Sequence, residues 1–172
     1  MTDEEKKVLD TILSLCQREG ISPFQIDYKV HNEIKVSNVK GVITTDIKEN
    51  VVSVRYRGMY EERLGTFEDD KLDENRVDEI IKSIKQSALN SDRLCRPEFF
   101  GEPGQRYKSS GFKLSNVKID NLKILNNKIV QSLKGMNSLF NDDAINEIST
   151  TLITGRRMMV NSKGLKVEKK FD

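Results

Sequence analysis

Residues that most often carry chemistry or covalent cross-links are scarce in this chain. Its 172 residues include no tryptophan, one histidine, two cysteines and three prolines. A hydrolytic zinc site usually takes three protein ligands plus an acid/base group, commonly with two histidines among them. His31 with the scattered Cys16 and Cys95 does not supply that set. A serine or cysteine nucleophile would have only His31 as its base, and nothing in the sequence brings His31 to either cysteine. The cysteines form no CxxC, and the opening MTDEEKKVLD is too acidic and polar for a secretion signal. Reduced thiols in a cytoplasmic protein are therefore expected. No apolar run approaches the ~20 residues that span a bilayer, so no membrane partner is expected. Charge of one sign is also lacking: 29 basic against 27 acidic side chains leave +2, too balanced to argue for nucleic acid on totals. The acidic run Phe67–Glu74 lacks the ligand offsets and central glycine of a calcium loop, and reads as a loop feeding negative charge into a helix start.

What is present is periodicity. Thr2 and Glu5 have capping-box spacing, and Val8, Leu9, Ile12, Leu13 and Cys16 then recur as one helical stripe that Gly20 ends. Ile26, Tyr28 and Val30 alternate with polar residues, the period of a strand with one buried face. EIKVSN and GVITTDI read as further strands joined around Asn38–Gly41, and VVSVRYR as another that turns through GMYEE at Gly58 into RLGTF. Connections this short imply an antiparallel meander, because parallel crossovers need a dozen or more residues. A second helix is expected from Asp73, with Val77, Ile80, Ile81, Ile84 and Ala88 on one face. Pro97, Gly101, Pro103, Gly104 and Gly111 mark a connector, pinned by Phe99 and Phe100. A third helix over 119–138 carries Leu122, Leu125, Ile129, Leu133 and Met136, and the remaining residues are β-rich with a hairpin at Thr154–Gly155.

The expected fold class is α+β: a curved antiparallel sheet backed by helices, followed by an incomplete second helix-plus-strands unit. The expected division is a helix–meander–helix unit over 1–92, a connector over 93–117 and the start of a related unit over 118–172. An unfinished sheet leaves an open edge, which a partner or further sequence would cover unless the last residues are simply a frayed tail. NVKG at Asn38 and NSKG at Asn161 repeat one pattern. Asn and Gly both tolerate positive φ, so the pattern suits a turn, and it lacks the glycines of a phosphate loop. The last stretch gathers Arg156, Arg157, Lys163, Lys166, Lys169 and Lys170. Such a basic segment can meet a nucleic-acid backbone, or it can protect a sheet edge from aggregation.

The segment from Phe24 to Ala88, and within it VSVRYRGMYEERLGTFEDD, resembles the N-terminal region of the TldD/PmbA family, the modulators of DNA gyrase. Gly65–Thr66 stands where the family has small residues after a hairpin, and VNSKG from Val160 resembles its NS.G turn. The resemblance implies part of a cytoplasmic metallopeptidase system. The active family member holds zinc through a His-Glu-x-x-x-His motif beyond the matched region, so no catalytic residue, metal ligand or cofactor carries over to this chain. It also implies a homo- or heterodimer with a TldD/PmbA-type subunit enclosing a peptide substrate. An extended peptide could lie along a free strand edge, for which Val52, Val54 and Tyr56, or Met158 and Val160, are the candidates. The alternative is a nucleic-acid or gyrase-associated module acting through Arg156, Arg157, Lys163, Lys169 and Lys170.

Overall fold

The computed structural model describes residues 2–92, 94, 96, 98, 100–102, 117–135 and 147–171. Cys95, Pro97, Phe99, Pro103, Gly104, Gly111 and Met136, singled out above, lie outside them. The described elements are helix α1 (Asp3–Arg18), strands β1 (Phe24–Val39), β2 (Val42–Tyr60) and β3 (Arg63–Asp69), helices α2 (Val77–Leu89) and α3 (Ile119–Gly135), and strands β4 (Glu147–Asn161) and β5 (Lys166–Phe171). The strands form one sheet of five in the order β3-β2-β1-β4-β5. Its pairing is antiparallel: Tyr56 of β2 faces Phe67 of β3. Phe24 meets Ser162 just past one end of β4, while Ser37 meets Glu147 at its other end. The fold is α+β with an open antiparallel sheet.

Two compact units share these strands. One comprises Met1–Val30, Val52–Ser109 and Arg156–Lys170, and the other His31–Val51, Ser110–Gly155 and Phe171–Asp172. Each draws on β1, β2 and β4, so neither is contiguous in sequence.

In the first unit α1 forms as its sequence dictates. The Thr2 hydroxyl accepts the Glu5 N–H at 3.1 Å and the Glu5 carboxylate accepts the Thr2 N–H at 2.8 Å, closing the capping box. Leu9, Ile12 and Cys16 from α1, and Ile80, Ile81 and Ile84 from α2, bury themselves with Phe24, Ile26 and Tyr28 of β1, Val54 and Tyr56 of β2, and Met158 and Val160 of β4. Burying each such side chain contributes about 1.5–3 kcal/mol relative to exposure. Helix α2 approaches the sheet closely because Gly65 of β3 presents no Cβ to it, while its paired residue on β2, Gly58, leaves room for Ile21.

The second unit has a smaller core of Val36, Leu122 and Leu152, with Ile34 and Val117 packed against it. Asn126 on α3 is fully buried there. Its amide donates toward Val36 O at 3.2 Å, Ile148 O at 3.1 Å and Thr150 Oγ1 at 3.3 Å. The two N–H groups thus tie α3 to both β1 and β4.

The strands are longer and fewer than their sequence suggests. FQIDYKV and EIKVSN are one strand, as are GVITTDI and VVSVRYR. The turn through GMYEE into RLGTF is present but tighter than expected: Gly58 still lies inside β2, and the chain reverses at Glu61 and Glu62, whose φ values are 48° and 59°. Thr154–Gly155 is likewise no hairpin, because β4 runs straight through it. The turn follows Asn161 instead, at the second Asn-x-Lys-Gly. Both copies of that pattern are turns. Asn38 Oδ1 accepts the Gly41 N–H at 2.9 Å. Asn161 Oδ1 accepts the N–H groups of Lys163 and Leu165 at 3.0 and 2.9 Å. Gly41 and Gly164 take φ of 89° and 91°, where a side chain would be strained.

Candidate functional site

The first unit carries a cleft of about 420 Å³ lined by Glu4, Glu5 and Val8 of α1, Tyr28 of β1, Val52 of β2, and the loop Asp70–Asp73. The chain builds this cleft from features that each have a local cause. The capping box holds Glu5 at the start of α1. Alternation along β1 turns Tyr28 toward α1, where its hydroxyl donates to Glu5 Oε1 at 2.8 Å. The loop is fixed at its two ends: Arg76 grips Asp69 with Nη1 2.7 and 2.6 Å from the two carboxylate oxygens, and Asp73 accepts the Asn75 N–H at 2.9 Å. This is the helix-start role expected of the acidic run, now with a second use as a cleft wall.

Arg156 of β4 completes the arrangement, its Nη2 2.6 Å from Glu5 Oε1. Burial alone would raise the Glu5 carboxyl; the Thr2 N–H, the Tyr28 hydroxyl and the Arg156 guanidinium outweigh it and hold the group below the usual carboxylate range. Burial, and then the Glu5 carboxylate, push the Tyr28 phenol up to about 12. Burial does the same to the Cys16 thiol, also to about 12, which makes it an inert core residue. Each of these groups is moved away from neutrality, the opposite of what a general acid or base needs. Among the described residues no three His, Cys, Asp or Glu side chains converge as a metal site would require.

Because the Glu5 carboxyl is depressed in the folded state, its stabilisation is whole above the unfolded value of roughly 4.3 and disappears as pH falls through the lower folded value. Melting curves of wild type and Glu5→Gln should therefore differ at neutral pH, by about 1 kcal/mol, and converge in acid. Curves that stay parallel down to acid pH would mean that Glu5 contributes no charge-dependent stability.

The residues proposed as peptide edges fall elsewhere than an edge. Val54 and Tyr56 are wholly buried in β2 between β1 and β3, and Met158 and Val160 are buried in β4 between β1 and β5. Their main-chain groups are already engaged by neighbouring strands. Val52 alone precedes the β2–β3 pairing, which begins at Val54, and it lines the cleft. The basic residues do not gather into one patch either. Arg156 is paired with Glu5; Arg157 makes a two-pronged ion pair with Asp27; Lys163 pairs with Glu102. Lys169 and Lys170 are exposed neighbours on β5, where alternation sends them to opposite faces. His31 is half-buried on β1. Sequence reasoning used Glu5 as a cap only, and its Arg156 partner lies 151 residues away.

No family model matches the chain, and no curated protein matches it. Solved structures do. A proposed modulator of a DNA gyrase from Thermotoga maritima superposes with a TM-score of 0.65 at 14% identity, over 97% of this chain and 37% of its own. TldE from Thermococcus kodakarensis gives 0.64 at 20% identity, over 95% and 37%. A proposed modulator of DNA gyrase from Bacteroides thetaiotaomicron gives 0.61 at 15% identity, over 98% and 39%. The chain thus spans well under half the length of these structures. Nearly all of this polypeptide has the fold of part of the TldE and DNA-gyrase-modulator structures, the fold that its resemblance to the TldD/PmbA family implies.

Proposed function

We propose that this chain is a non-catalytic, scaffold-forming portion of a TldD/PmbA-type peptidase system, which dimerises with a subunit of that kind and helps enclose a peptide substrate. The observation that carries the reading is the likeness over 95–98% of this chain to proteins of which it covers only 37–39%. Zinc chemistry then belongs to residues outside the matched region, and this chain's own residues supply walls and contacts. The cleft between Glu5, Tyr28 and the Asp70–Asp73 loop has acidic walls on both sides, which suits the basic end or side chains of a peptide.

Light scattering of the chain, alone and mixed with a full-length TldD/PmbA-type protein, tests the reading. A mixed complex is the expected result, and a monomer that ignores the partner at every concentration would defeat it. The nucleic-acid reading has less footing, because Arg156, Arg157 and Lys163 already face carboxylates.

A further inference from the structure

The outer edge of β2 has a property that neither the cleft nor the family likeness uses. Strand β3 pairs with β2 only from Val54 to Tyr60. Every residue from Val42 to Asn50 is exposed, including Ile43 at 40% and Ile47 at 51%. The positive φ of Lys40 and Gly41 marks a tight hairpin turn that sets Val39 opposite Val42. The Lys48–Glu33 contact at 4.0 Å agrees with that register. In such a hairpin Val42, Thr44, Asp46 and Lys48 bond to β1, and Ile43, Thr45, Ile47 and Glu49 turn their N–H and C=O groups outward. The phase ends at Asn50, which has φ of 52° and gives its N–H to the Asn32 side chain at 2.8 Å, as at a bulge.

The geometry points to this edge, Thr45 to Glu49, pairing antiparallel with the same edge of a second copy of this chain, across a twofold axis at Ile47. That register sets Ile47 against Ile47 and each Thr45 against a Glu49, with outward main-chain groups bonding in both. It sets each Asp46 against the Lys48 of the other copy in the close, non-hydrogen-bonded positions. Other registers lose this match. An axis at Asp46, Lys48 or Glu49 opposes like charges, and one at Thr45 leaves Asp46 facing Thr44 and Lys48 facing Val42. Within one copy Asp46 and Lys48 are 3.8 Å apart and both more than half exposed, so exchanging that contact for the intermolecular one costs little. The pairing also covers Ile47. Only copies of this chain take part, so the inference stands or falls apart from the family reading above.

Sedimentation of the full chain over a range of concentrations provides the test. Asp46→Lys and Lys48→Asp should each weaken self-association about tenfold or more, since each opposes like charges twice across the axis. An equimolar mixture of the two variants should regain it, as should the double variant Asp46→Lys/Lys48→Asp. Recovery on mixing also excludes a lost fold as the cause of the weakening. Hydrogen exchange at the Thr45, Ile47 and Glu49 amides should slow as concentration rises. A wild-type chain that stays monomeric would overturn the proposal, with the edge charges then serving only to keep strands apart. So would single variants that associate as wild type does.

Discussion

Gly65→Ala is expected to destabilise the chain by about 3 kcal/mol, more than the same change at Gly58 or Gly135. A Cβ built on Gly65 falls 2.1 Å from the Ile84 carbonyl oxygen and 2.8 Å from Ile84 Cγ2. The first obstacle is helix backbone, so no rotamer change removes it. To restore ordinary contact α2 must lift by about 1 Å, which loosens Ile80, Ile81 and Ile84 along its buried face together. Gly58→Ala meets mainly the Ile21 side chain, at 2.2 Å, and should cost less, about 2 kcal/mol, because a side chain yields more readily than backbone. Gly135→Ala, with nothing within 4 Å, should be neutral or slightly stabilising. Urea denaturation of the three variants provides the comparison. A Gly65→Ala protein within about 1 kcal/mol of wild type would show that α2 does not rest on Gly65.

Gly58 also shows where the sequence is legible and where it is not. A glycine needed for close packing looks the same in sequence as one needed for a turn, and Gly58 reads as the latter while serving the former. The helices are plain because capping and a 3.6-residue stripe are local signals: Thr2 with Glu5, then Leu9, Ile12 and Cys16, are enough for α1. Strand lengths are obscured because alternation is visible only where one face is buried. From Val42 to Asn50 both faces are exposed, so β2 carries no period there, though its backbone runs on. Polar interruptions such as His31–Asn32 mimic strand ends for the same reason, since main-chain pairing is indifferent to side-chain polarity. The turns at Asn38 and Asn161 are legible because their chemistry is contained in a few residues. The cleft is not, because its pairing of Glu5 with Arg156 joins chain ends whose charges have many other conceivable partners in sequence.

Tyr56 separates burial from hydrogen bonding within one residue. Its ring is wholly buried and stacked, with centroids 6.3 Å from Phe24 and 6.0 Å from Phe67, so it joins β1, β2 and β3 in one aromatic layer. Tyr56→Ala empties that layer and is expected to cost about 4 kcal/mol, from lost transfer energy plus a cavity that strands cannot close. The hydroxyl is a different matter. It is buried with no hydrogen-bond partner among the described residues, and burial first, then the Asp69 carboxylate, push the phenol well above its ordinary value. A buried donor left unmatched is a cost already carried by the folded state, so Tyr56→Phe should be neutral or stabilise by up to about 1 kcal/mol. Equilibrium unfolding of the two variants therefore gives opposite expectations at one position. If Tyr56→Phe instead loses more than about 1 kcal/mol, the hydroxyl has a partner such as a buried water. Asp69, whose side chain is only 5% exposed and which anchors the loop over the cleft, is then the group it would reach.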